Sequence, residues 1–156
     1  PVMALNEGDH LPSFDLPTDS DGRVATGDLA GQAAVIYFYP KDDTPGCTTE
    51  AQGFRDHLAA FTAAGVRVIG VSKDTAAKHD KFKAKHDLPF TLISDADSDM
   101  CESFGVWVEK SMYGKKYMGI ERATFLVAGD GTIAKIWRKV KVKGHVEEVL
   151  AAAEAL

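Results

Sequence analysis

Short apolar runs alternate along the chain with longer stretches in which apolar residues recur every three or four positions. Residues 33–39 read Ala-Ala-Val-Ile-Tyr-Phe-Tyr and are apolar on both faces, which predicts a buried central strand. From 48 to 64 the apolar spacing predicts a helix with one buried face, formed by Ala51, Phe54, Leu58 and Phe61. A second apolar strand follows at 66–71. A helix between two such strands implies a parallel pair.

The rest of the chain continues the alternation. It predicts a helix at 75–87, a short strand at 90–93, a short helix at 97–104, strands at 122–128 and 132–137, and a closing helix at 144–156. A turn at 19–23 predicts a hairpin near the N-terminus. This order indicates an α/β fold, a mixed central sheet with helices on both faces and an N-terminal β-hairpin extension. A length of 156 residues fits a single domain over 1–156.

Charge and composition exclude several classes of protein. The net charge of −5 disfavours nucleic acid as a partner. The one basic run, 138–143, is interpreted as a solvated strand edge with Lys139, Lys141 and Lys143 on one face, and contact with nucleic acid or a partner is the alternative. No apolar run is long enough for a membrane span, and residues 1–7 lack the features of a secretion signal, so we expect a cytoplasmic protein. Two cysteines are too few for a disulfide scaffold.

A loop with candidate chemistry follows the first core strand. Residues 40–50 read Pro-Lys-Asp-Asp-Thr-Pro-Gly-Cys-Thr-Thr-Glu and place Cys47 in the first turn of the long helix. The positive end of a helix stabilises a thiolate, the reactive form of cysteine. Glu50 lies in the same turn and would repel that thiolate, so a cation must lie nearby or Glu50 must point elsewhere. The alternative is that Cys47 is an inert cysteine at a helix start.

Several strings of this chain match one family in order. Pro40, Thr44 and Cys47 fit the P-x-x-x-T-x-x-C signature of peroxiredoxins, and residues 37–48 resemble the PrxQ branch, also called bacterioferritin comigratory protein. Further matching strings lie at 104–107, 112–125 and 137–140. The similarity extends from about Gly8 to the end of the chain.

This resemblance implies a thioredoxin-like fold and a thiol peroxidase without metal or organic cofactor. Cys47 would be the peroxidatic cysteine, which attacks hydrogen peroxide or an organic hydroperoxide and becomes a sulfenic acid. Thr44 would hydrogen-bond the peroxide, Pro40 would shield the pocket from water, and Arg122 would supply the missing cation. The family is often monomeric, so the resemblance implies a monomer.

The chain departs from the family in its second cysteine. Many PrxQ proteins carry a resolving cysteine five residues after the peroxidatic one, where this chain has Gln52, and others carry it in the next helix, which here has none. Either Cys101 resolves Cys47, or an external thiol does so in a one-cysteine cycle. Thioredoxin, glutaredoxin or glutathione would be that reductant. Cys101 shares an apolar helix face with Met100 and Phe104, so a buried structural cysteine is the simpler interpretation.

The sequence indicates no definite function for the remaining groups of residues. His79 and His86 are predicted to be exposed on a lysine-rich helix, and no motif for a metal or a nucleotide is present. A loop before Arg122 holds four aromatic or thioether residues that either pack on the sheet or wall a pocket for organic hydroperoxides; they are Met112, Tyr113, Tyr117 and Met118.

Two functions outside peroxidase chemistry stay open. These are a peroxide sensor or thioredoxin-fold partner protein, and a cysteine hydrolase that uses Cys47 with a histidine.

Overall fold

In a computed structural model, which describes residues 5–156, nine strands and five α-helices are formed. The strands are β1 Asp15–Pro17, β2 Arg23–Ala25, β3 Ala33–Phe38, β4 Val66–Ser72, β5 Thr91–Ser94, β6 Trp107–Met112, β7 Lys115–Ile120, β8 Ala123–Val127 and β9 Ile133–Trp137. The helices are α1 Pro45–Asp56, α2 Leu58–Ala63, α3 Ala76–His86, α4 Met100–Ser103 and α5 His145–Glu154. The first four residues, part of the segment considered above as a secretion signal, lie outside the described range.

Five strands form the central sheet in the order β5-β4-β3-β8-β9. The apolar strand β3 lies in the middle, parallel to β4 and antiparallel to β8, and β5 extends the parallel side. This mixed sheet has helices on both faces, as predicted. The N-terminal hairpin β1–β2 is also confirmed, and it meets the edge of the sheet through a bridge between Thr18 and Ile93.

The alternation of side chains along β3 divides the core in two. Ile36 and Phe38 belong to one buried cluster, which includes Cys101 of α4, whereas Val35 and Tyr37 belong to another, which includes Cys47 of α1. Because successive side chains of a strand point to opposite faces, the two cysteines lie on opposite sides of the sheet.

Three local predictions were wrong. The helix predicted over 48–64 is two helices, because at His57 the chain leaves the helical conformation and the ring Nδ1 lies 2.9 Å from the Gly53 carbonyl oxygen. The basic run after β9 is not a strand, since Lys139 has a positive φ of 46°, although its lysines are exposed as predicted. The loop predicted before Arg122 is the hairpin β6–β7.

Two further predictions concern the exposure of particular side chains. Met112, Tyr113, Tyr117 and Met118 neither pack on the sheet nor wall an enclosed pocket, because all four are exposed on β6–β7 and its turn. His79 was predicted to be exposed, but its side chain is completely buried on the inner face of α3.

Candidate active site

Cys47 lies in the first turn of α1, directly after the loop that leaves the central strand. Thr44 is the N-cap residue with an extended backbone, and Pro45 occupies the first helical position, where its missing N–H costs no hydrogen bond. The first amide groups of a helix have no partner within it, so they and the helix dipole present positive charge near Cys47. The side chain is only 1% exposed. The sequence therefore builds a buried thiol at the positive end of a helix.

Arg122 brings the cation that this thiol needs. It lies between β7 and β8, and its Nη2 donates to the Cys47 Sγ atom over 3.4 Å. Its Nη1 donates to Glu50 Oε1 over 2.6 Å. One guanidinium thus faces both a sulfur and a carboxylate, which answers the repulsion expected between Glu50 and a Cys47 thiolate. Burial acts to lower the pKa of Arg122, but Glu50 and Cys47 outweigh it and hold that pKa above its usual range.

Glu50 is a buried carboxyl group of the site. It is fully buried, and its Oε2 atom has no hydrogen-bond partner among the residues that the structure describes. Burial raises the pKa of Glu50 to about 7, even though Arg122 acts in the opposite direction. At neutral pH the carboxyl group is therefore close to its titration midpoint. From the sequence alone, Glu50 was expected only to repel a thiolate, and its place in this network was not predicted.

The other two predicted site residues lie on the same loop but are placed differently. The Thr44 hydroxyl donates to the Lys41 carbonyl oxygen over 2.9 Å, so its lone pairs are what it can offer to a ligand. Pro40 follows the end of the central strand and is exposed. The loop therefore carries Pro40, Thr44 and Cys47 within eight positions, and Arg122, which directly precedes the neighbouring strand β8, reaches Cys47.

Cys101 is not part of this arrangement. It is fully buried on the opposite side of the sheet, and its amide donates to the buried carboxylate of Asp95 over 2.7 Å. Burial, together with Asp95, raises the pKa of the Cys101 thiol far above its usual range. The site thus contains one cysteine.

Within residues 5–156 no three His, Cys, Asp or Glu side chains are placed to hold a metal ion. Over the same residues, no helix has the length and apolar character needed to cross a membrane.

Comparison with known proteins gives consistent similarities. Residues 8–136 match the AhpC/TSA family. Peroxiredoxin Bcp of Bacillus subtilis is 49% identical over 148 residues, 95% of this chain and 94% of that protein. Peroxiredoxin Bcp of Escherichia coli K12 is 45% identical over 146 residues, 94% of both.

Solved structures agree with these relatives. A PrxQ variant from Xylella fastidiosa superposes with a TM-score of 0.93 at 41% identity, covering 98% of each chain. Bacterioferritin comigratory protein of Xanthomonas campestris, described for its alkyl peroxide reduction activity, superposes with a TM-score of 0.87 at 46% identity, covering 91% of this chain and 90% of that one.

Proposed function

Because the chain belongs to the AhpC/TSA family, in its Bcp or PrxQ branch, and is thus a thiol peroxidase, we propose that Cys47 is the residue that attacks the peroxide. One observation carries the proposal. The Arg122 guanidinium lies 3.4 Å from Cys47 Sγ at the positive end of α1. A cation and a helix terminus at one sulfur favour the thiolate, which is the nucleophile that this reaction requires.

In the first step the thiolate sulfur attacks one oxygen of the peroxide. The O–O bond breaks, and its electron pair leaves with the second oxygen, which takes a proton and departs as water or an alcohol. Cys47 keeps the first oxygen as a sulfenic acid. Negative charge moves from sulfur to oxygen during this step, so donors already fixed beside the sulfur stabilise the transition state without reorganising. Arg122 and the free amides of the first turn are such donors.

Thr44 and Pro40 have supporting roles in this proposal. Since the Thr44 hydroxyl proton is committed to Lys41, its oxygen would accept a hydrogen bond from the peroxide O–H and orient the substrate. Pro40, which has no N–H donor, would shield the pocket from water. We propose hydrogen peroxide and organic hydroperoxides as substrates. The alkyl peroxide reduction of the Xanthomonas relative supports the second class.

The cycle is completed by a thiol from outside the chain. A thiol attacks the Cys47 sulfenic acid and forms a mixed disulfide with release of water, and a second thiol then frees Cys47 and leaves as a disulfide. Thioredoxin, glutaredoxin or glutathione could supply these thiols in the cytoplasm, where thiols are kept reduced. The place of Cys101 across the sheet supports this cycle over an internal Cys47–Cys101 bridge, because bridged Cα atoms must approach to about 4.4–6.8 Å. The proposed enzyme is a monomer with a single domain over residues 1–156.

Turnover measurements test the proposal. Hydrogen peroxide consumption is followed for the wild type, Cys47→Ser and Cys101→Ser with each of the three reductants. We expect Cys101→Ser to keep the wild-type rate and Cys47→Ser to have none. A Cys47→Ser protein with the wild-type rate would refute the role of Cys47. Oxidation of only one equivalent per chain with every reductant would indicate a sensor, and loss of turnover in a folded Cys101→Ser protein would support an internal bridge.

A further inference from the structure

A buried histidine holds the loop that leads to Cys47. His79 lies on α3, is 0% exposed, and places its Nδ1 2.6 Å from Oδ2 of Asp42. Its Nε2 lies 2.9 Å from the carbonyl oxygen of Ile93 on β5. Both ring nitrogens therefore face acceptors that carry no proton of their own when Asp42 is ionised.

This geometry determines the charge of the ring. A neutral imidazole donates from one nitrogen only, so one of the two contacts would place two lone pairs against each other, whereas an imidazolium donates to both. The groups that face the ring are Asp42 of the loop, Tyr39 at the end of β3, Asp74 after β4 and the Ile93 carbonyl. Burial acts to lower the pKa of His79, but Asp42, Ile93 and Asp74 outweigh it and the net shift is upward.

Asp42 transmits this contact to the loop. Its Oδ1 accepts from the Tyr39 hydroxyl over 2.6 Å, and its amide donates to Asp74 Oδ2 over 2.8 Å. The residue lies two positions before Thr44 and five before Cys47. Since both its backbone and its carboxylate are fixed, the direction in which the chain enters α1 is fixed with them.

Resting on the proposed role of Cys47, we propose that His79, as a buried imidazolium, is a positioning residue that holds Asp42 and thereby sets the geometry of Thr44 and Cys47 for attack on the peroxide. The contact contributes fully below the ordinary pKa of histidine and is lost as pH rises through the higher pKa of the folded protein. The loop should consequently lose its alignment as pH rises through this raised pKa.

Nuclear magnetic resonance of the wild-type protein tests the charge directly. Nitrogen-15 shifts of the His79 ring are followed from pH 6 to pH 10, with His86 as the internal comparison on the same helix. We expect His79 to carry protons on both nitrogens and to lose one only above the ordinary titration range of histidine. A His79 ring that becomes neutral within or below that ordinary range would overturn the proposal. This measurement does not depend on peroxidase activity, so it also separates a failure of this inference from a failure of the proposed function.

Variants test the consequence for the reaction. His79→Gln removes one of the two donors, and His86→Gln is the matched control, because the partly buried His86 contacts the adjacent loop residue Asp43, which is exposed, over 2.9 Å. The rate of Cys47 oxidation by hydrogen peroxide is measured by stopped flow from pH 6 to pH 10, on samples shown to be folded by circular dichroism. We expect His79→Gln to be about ten- to a hundred-fold slower, as for a small misplacement of reacting groups, and His86→Gln to match the wild type.

The pH profile separates positioning from general support of the fold. The wild-type rate should fall as pH rises through the raised pKa of His79, at the same pH at which the ring loses its proton in the NMR titration, and His79→Gln should lack that fall. A His79→Gln rate equal to that of the wild type, or a slow variant that keeps the fall, would overturn the proposal. If His79→Gln does not fold, Asp42→Asn, which removes the charge that the ring pairs with, serves in the same measurement with the same expected loss.

Discussion

Glu50→Gln is the substitution that most sharply tests the electrostatics of the site. The carboxylate is buried, one oxygen accepts from Arg122 over 2.6 Å, and the other has no partner in the described residues. Glutamine keeps the size and can still accept from Arg122 through its amide oxygen, but it does not ionise. The variant therefore removes the buried charge and little else.

The expected effect follows from the pKa of Glu50, which burial raises from 4.5 to about 7. Because the folded pKa lies above the unfolded one, the contribution of this group to stability is fully present below pH 4.5 and is lost as pH rises through 7. A difference of about 2.5 pKa units corresponds to about 3 kcal/mol, at 1.36 kcal/mol per unit. Relative to the wild type, Glu50→Gln should thus gain about 3 kcal/mol of stability between pH 4 and pH 8.

Urea unfolding of both proteins at one-unit steps from pH 4 to pH 8 measures this difference. Other titrating groups cancel when the two free energies of unfolding are subtracted at each pH. We expect the difference to be flat below pH 4.5, to rise between pH 4.5 and about pH 7, and to level off above that. A difference that stays constant over the whole range, or that moves against Glu50→Gln, would show that the carboxylate is well stabilised by Arg122 and would refute the reasoning.

Three further substitutions probe the site and its support. Arg122→Met should slow the reaction with peroxide about 10²–10³-fold, as for loss of one transition-state donor, and an unchanged stopped-flow rate would contradict the role of the cation. Gly46→Ala would place a Cβ atom 3.3 Å from Arg122 Nη2, so a rate about ten-fold lower with unchanged thermal stability is expected, and a wild-type rate would argue against close packing there. Gly70→Ala would place its Cβ 2.8 Å from Leu92 Cδ2 and 3.0 Å from the Tyr37 ring. Urea unfolding should show a loss of about 1–3 kcal/mol, and no loss would mean that these side chains move freely.

The fold was largely readable from the sequence because its core elements depend on burial. The strand at 33–38 is apolar on both faces and lies in the middle of the sheet, and the alternation of strands and helices predicted the mixed sheet. Exposed segments were predicted less well. The hairpin β6–β7 carries charged and aromatic residues that no longer follow a two-residue alternation, so its strands could not be told from a loop.

In the candidate site, features set by neighbouring residues could be predicted from the sequence, whereas contacts between distant residues could not. The position of Cys47 followed from local order along the chain, since the loop and the helix start are adjacent to it. The contact between Arg122 and Glu50 joins residues 72 positions apart, so only the resemblance to a family could suggest it. His79 was mistaken for an exposed residue because α3 is rich in lysine, and its partner Asp42 lies 37 positions away.

The most direct measurement is the intact mass of the wild type, Cys47→Ser and Cys101→Ser after one equivalent of hydrogen peroxide in the absence of any other thiol. The account predicts that the wild type and Cys101→Ser each gain one oxygen atom, on Cys47, and that Cys47→Ser gains none. Oxygen gained by Cys47→Ser at the wild-type rate, or a wild-type protein that reacts with peroxide no faster than free cysteine does, would contradict the claim that Cys47 is the peroxidatic residue.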